Sequence, residues 1–151
     1  MAEPHHWPLE QSAKGTVRPW YATAVGYVAV LFRDLEEARR AQRGLVAHGV
    51  PEEDLRLYEA EETLRIWSRL EADRSILAKA VAALVADREA RKRYLGNAEA
   101  GGPALWIFAP TRERADRLVG LLADWRYLWL RYYGDDGWED VPGTVPWRED
   151  R

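Results

Sequence analysis

Two stretches of this chain repeat one another, so any fold for it has to give both halves equivalent surroundings. VLFRDLEEARRAQRGLVAHG (30–49) lies over IFAPTRERADRLVGLLADWR (107–126) without a gap, with Asp34 over Thr111, Ala38 over Ala115 and Leu45 over Leu122. Each copy ends an apolar run, passes a residue able to cap a helix, and continues with apolar side chains at i, i+3 and i+4. The next connection is four residues shorter in the second copy, after which Leu55 and Leu57 fall over Leu128 and Leu130. Both halves therefore read as βαβ units.

Local signals place the elements. GYVAVLFR (26–33) is apolar and β-branched enough for a buried strand, and Asp34 with Glu37 forms a capping box. Leu35, Ala38, Ala41, Gln42, Leu45 and Val46 supply the inward stripe of a helix that stops at Gly49, with Pro51 just beyond. Glu52, Glu53 and Asp54 read as a turn before the strand LRLY (55–58). Residues 62–95 read as a helical pair split at Asp73, with stripes through Leu64, Trp67 and Leu70 and through Leu77, Val81, Leu84 and Val85; TLRIW (63–67) also alternates as a strand would. GNAEAGGP (96–103) is the clearest punctuation, and ALWIFA (104–109) follows as a strand. Thr111 caps a helix with Ala115, Leu118, Val119 and Leu122 inward, and YLWLRYY (127–133) closes as a strand stopped by Gly134.

These units predict one α+β domain: a four-stranded, ferredoxin-like antiparallel sheet with helices on one face and the helical pair inserted between the halves. A doubly wound parallel sheet is the rival, though four short strands make it small. Residues 1–24 read as an extended lead-in, 25–134 as the domain, and 135–151, with Pro142 and Pro146, as a polar tail docked by Trp138 and Trp147.

Strand parity marks a candidate site. With Leu128 and Leu130 toward the repeat helices, Tyr127, Trp129, Arg131 and Tyr133 face away, and Trp106 and Phe108 join them when Leu105 and Ile107 point inward. Tyr58 extends the group. So aromatic a face has to be covered by the inserted helices, by a second subunit or by a ligand. Arg131 among the rings is suited to a carboxylate or phosphate, although an internal stack is the commoner use of such a guanidinium.

Composition narrows the classes. There are 151 residues and no cysteine, which is length enough for a core and removes disulfides and thiolate chemistry, as in a reducing cytoplasm. Met1–Pro8 lacks a basic, apolar leader pattern and no run reaches the length of a membrane span, so a cytoplasmic protein without a membrane partner is expected. The formal charge of −3 argues against nucleic acid, including base stacking of the RNA-recognition kind. Arginine supplies nearly all positive charge, with lysine only at 14, 79 and 92, which we read as the imprint of a GC-rich bacterial genome.

The remaining polar features have ordinary explanations. His5 and His6 have no third ligand nearby, so no metal site is expected. His48 suits a helix C-terminus. The carboxylate clusters Glu36-Glu37, Glu52-Glu53-Asp54 and Asp135-Asp136 fall at a helix start, a turn and the tail, and REARKRY (88–94) reads as a solvated helix face. Gly101-Gly102-Pro103 precedes a strand rather than a helix and so lacks the amide cradle of a phosphate loop. No catalytic residue and no cofactor is assigned.

VAVLFRDLEEARRAQRGLVAHG, the joint RYLGNAEAGGPALWIFAP and the closing LRYYG with its later tryptophan resemble bacterial proteins related to the general stress protein 17M type, over roughly residues 26–140. The resemblance implies a cytoplasmic α/β domain, stress-associated, with no cofactor or site residue to carry over. The expected function is a non-enzymatic domain that binds a small molecule or self-associates as a homodimer through the aromatic face. The alternative is a small dimeric ferredoxin-like enzyme with His48 or Tyr133 as acid or base.

Overall fold

Asp34 and Thr111 start their helices in the same way. In the computed structural model, which describes residues 7–8, 24–72 and 88–147, Asp34 is extended (φ −146°, ψ 165°) and its Oδ1 accepts the Glu37 amide at 2.9 Å. Thr111 is likewise extended (φ −127°, ψ 155°), and its Oγ1 accepts the Arg114 amide at 3.2 Å. Each cap satisfies a donor that the first helical turn leaves unpaired. The elements in chain order are β1 (Tyr27–Leu31), α1 (Leu35–Ala47), β2 (Leu55–Tyr58), α2 (Ala60–Ala72), α3 (Arg88–Glu99), β3 (Ala104–Phe108), α4 (Arg112–Leu122), β4 (Trp129–Gly134) and β5 (Gly137–Pro142), with a 3-10 turn at Glu52–Asp54.

Helix α1 stops where glycine permits it. Gly49 has φ +93°, its amide donates to Val46 O at 3.0 Å, and the Val50 amide donates to Leu45 O at 3.0 Å. That pair of bonds is a Schellman motif, which closes the last turn and turns the chain toward β2. TLRIW lies within α2, so the helical reading of that segment holds. Asp73 and the stripe from Leu77 to Val85 lie outside the described residues, as do the Leu70 side chain, His5, His6, Trp20 and Tyr21.

The fold is α+β, and its sheet has five strands in the order β2-β3-β1-β4-β5, every neighbouring pair antiparallel. The expected sheet had four strands, and the fifth comes from the segment read as a tail. Gly134 pairs with Gly137 around the two-residue turn Asp135-Asp136, and Gly137 takes φ +130°. Pro142, which argued against a strand, sits at the end of an edge strand, where no ladder donor is required of it.

The two faces of the sheet are filled differently. On one, Val28, Val30, Leu55, Leu105, Ile107 and Leu130 pack with Ala38, Ala41 and Leu45 of α1 and Ala115, Leu118 and Leu122 of α4. On the other, Tyr27, Ala29, Tyr58, Trp106, Trp129 and Tyr133 pack with Trp67 of α2 and Ala90 and Tyr94 of α3, together with Trp7, and Trp147 borders this cluster. The small Ala29 on the central strand, paired with Trp106 on one side and Arg131 on the other, leaves room for those larger neighbours.

Asn97 of α3 ties the joint to the sheet. Its Nδ2 donates to Phe32 O at 3.0 Å and to Pro103 O at 3.3 Å, and a Cβ on Gly102 would collide with its side chain. Gly102 is therefore a close-approach glycine, and the punctuation read from GNAEAGGP has this packing cause. No helix among the described residues is long and apolar enough to cross a membrane.

Candidate functional site

Six of the seven residues expected on the aromatic face are brought together. Trp106, Trp129, Arg131, Tyr133 and Tyr58 are all buried, and Phe108 is half-buried at the margin. Tyr127 is the exception: it belongs to the aliphatic core with α1 and α4, while Leu128 turns into the aromatic cluster. Parity failed there because β4 begins only at Trp129; the chain bends at Leu128, whose amide donates to Leu31 O at 2.8 Å. Alternation holds within a strand and not across its entrance.

The face is covered from within the chain by α2 and α3. Tyr94 of α3 lies 5.9 Å from Trp106 and 5.5 Å from Trp129, both tilted, and its hydroxyl is 2.7 Å from that of Tyr133. Trp106 and Tyr133, on strands separated by β1, stack 6.1 Å apart at an interplanar angle of 7°. Arg93 lies over Trp129 at 5.3 Å and over Trp147 at 4.8 Å, which brings the C-terminal segment across the rim. Trp7 closes the opposite end against Tyr27 at 5.3 Å, and Tyr27 meets Phe108 at 5.5 Å. Inside this layer the Thr63 hydroxyl is buried and has no hydrogen-bond partner among the described residues.

Arg131 is an internal stack. Its side chain is 2% exposed, and it holds Asp140 of β5 through Nε at 2.6 Å and Nη2 at 3.1 Å, a bidentate charge-assisted pair. The guanidinium carbon lies 5.0 Å from both the Trp129 and Trp138 rings. A ligand anion at this position would have to compete with Asp140. Asp140 and Trp138 belong to this group and were missed because the tail was not read as a strand; the DDG turn followed by alternating residues was the available signal.

The groups considered for acid–base work do not converge. His48 follows α1, where its Nδ1 is 2.9 Å from Gly44 O and its ring meets Trp125 edge-on at 6.2 Å. Tyr133 lies in the ring layer on the other face of the sheet. Burial raises the hydroxyl of Tyr127 above its ordinary value; burial and then Asp54 raise that of Tyr27; burial and Asp135 raise that of Tyr132 against the lowering effect of Arg112. These phenols hold their protons at neutral pH. Among the described residues no group of three or more His, Asp or Glu is placed to hold a metal ion.

A groove of about 550 Å³ lies on the other side of the sheet, between the residues that follow α1 and one face of α4. Val50, Leu118 and Leu121 give it an apolar floor, and Glu113, Arg114 and Arg117 stand along it. Arg114 forms an ion pair with Asp54, which is buried.

Searches of protein-family models, of curated proteins and of solved structures find no match to this chain.

Proposed function

We propose that this chain is a non-enzymatic binding domain for a small planar molecule, seated in the ring layer between the sheet and the α2–α3 pair. The observation that carries the reading is the make-up of that layer: Tyr94, Trp106, Trp129 and Tyr133 in mutual ring contact, with the paired hydroxyls of Tyr94 and Tyr133 between helix and sheet. Ligand sites are commonly apolar and aromatic with a few placed polar groups, whereas a core serving stability alone is well filled by aliphatic side chains, as the opposite face of this sheet largely is.

A guest enters this layer only if the inserted helices give way, so binding is coupled to displacement of α2 and α3. The order β2-β3-β1-β4, with α1 and α4 completing two βαβ units, supports reading the frame as ferredoxin-like with β5 added at one edge, and on that reading α2 and α3 are insertions between the units. Self-association through the same face would require the helical pair to leave it. A stress-associated role in the cytoplasm, which the resemblance to the general stress protein 17M type implies, belongs to the same proposal.

Native mass spectrometry of the full chain purified from its source tests the proposal. The expected spectrum carries a retained small molecule that is lost in Trp106→Ala; a bare wild-type chain that also takes up nothing from a source extract overturns the reading.

A further inference from the structure

Glu113 and Arg117 stand one turn apart on α4, at the spacing that usually closes an ion pair. They form none. Arg117 turns instead toward the end of α1, and its Nη2 donates to His48 O at 3.1 Å. The Glu113 carboxylate has no hydrogen-bond or ion-pair partner among the described residues. Both side chains line the groove, where Arg114 is already neutralised by Asp54. One cation with unused donors and one carboxylate are thus left side by side above the floor of Val50, Leu118 and Leu121.

We propose that this groove binds a small zwitterion with an apolar body, of the free aliphatic amino acid class. The carboxylate of the guest meets Arg117, its ammonium meets Glu113, and its side chain lies on the floor. A simple anion would gain Arg117 but face Glu113 uncompensated, and a simple cation the reverse; a zwitterion answers both charges. The groove volume of about 550 Å³ is ample for such a molecule. Gly49, which has no side chain and takes φ +93°, lies 4.0 Å from Arg117 Nη2 when given a Cβ, so this end of the groove is not blocked by a side chain.

Calorimetric titration of the full chain with L-leucine tests this, with leucinamide and N-acetyl-leucine as probes lacking the carboxylate and the free ammonium respectively. Leucine is expected to bind with a dissociation constant on the order of 1 mM or lower, and each derivative about tenfold more weakly. Glu113→Gln is expected to weaken leucine about tenfold while tightening N-acetyl-leucine, whose carboxylate then no longer faces an uncompensated like charge. That variant keeps the side-chain shape and breaks no hydrogen bond or ion pair among the described residues, whereas Arg117 also supports the end of α1. Equal binding of leucine and both derivatives, no saturable leucine binding, or an unaffected Glu113→Gln overturns the proposal.

Discussion

The hydroxyls of Tyr94 and Tyr133 lie 2.7 Å apart, joining helix α3 to strand β4 through a layer otherwise made of rings. Both residues are buried, with Tyr94 4% and Tyr133 0% exposed. Because each hydroxyl loses water on folding, removing one takes a hydrogen-bond partner from the other inside the layer. Tyr133→Phe is expected to destabilise the fold by about 1–3 kcal/mol. Tyr94→Phe should cost a similar amount, and the double variant clearly less than the sum of the two. Urea midpoints of the three variants measure this; additive losses would mean that the hydroxyls do not bond.

Arg131 and Asp140 provide a second test, because the two partners differ in burial: 2% of the Arg131 side chain is exposed against 40% for Asp140. Asp140→Ala removes the carboxylate that Arg131 holds by two bonds where its guanidinium lies among Trp129, Tyr133 and Trp138. A loss of about 2 kcal/mol is expected, smaller than for a fully buried pair because Asp140 is solvated. Glu139→Gln, next to Asp140 on β5, breaks the exposed pair with Arg112 of α4 and should change stability by under about 1 kcal/mol. Chemical denaturation of both variants compares them directly.

The repeat makes the two caps interchangeable in kind. Asp34→Ala and Thr111→Ala should each cost about 1 kcal/mol, since each removes one acceptor from the first turn of its helix. The expected losses are independent, because the caps serve different helices.

Glycines separate packing from propensity. Gly102→Ala pushes a Cβ into Asn97 and Phe32 O and should lower stability by about 1–3 kcal/mol. Gly120→Ala, on the open face of α4 with nothing within 4 Å, should raise it by about 0.5–1 kcal/mol. Melting temperatures should move in opposite directions.

The buried phenols set an alkaline limit. Burial raises the folded-state pKa values of Tyr27, Tyr127 and Tyr132 above the ordinary phenol value, so the folded chain holds those protons more tightly than the unfolded chain. Their contribution is fully present below about pH 10 and is lost as pH rises through the folded values. Tyr127→Phe, where burial alone causes the shift, should flatten the fall in urea midpoint above about pH 10.

The frame was legible because its signals are local. Asp34 and Thr111, the stripe of Ala38, Ala41 and Leu45, and the positive-φ Gly49 each act within a few residues, and the repeat let one half support the other. Two features were not read. Tyr127 was assigned by extending the alternation of β4 through a bend that begins before the strand does. Strand β5 was hidden by its proline and acidic residues, which an edge strand tolerates because one side and much of one face meet water. The acidic partner of Arg131 followed that error, since Asp140 is placed beside it only by the β4–β5 register. The Arg117 bond to His48 O joins residues far apart in sequence, and nothing in the spacing of either segment specifies it.

The eight tryptophans allow the central claim to be tested in one experiment. A proton–nitrogen correlation spectrum resolves each indole N–H, and it can be recorded with and without 2-naphthol, a planar probe carrying a single hydroxyl. If the ring layer is the binding site, the signals of Trp106 and Trp129 move with saturation while Trp125, packed on the opposite side of the sheet, stays in place. Movement of Trp125 alone, or of no indole at all, would contradict a planar-ligand site between the sheet and α2–α3.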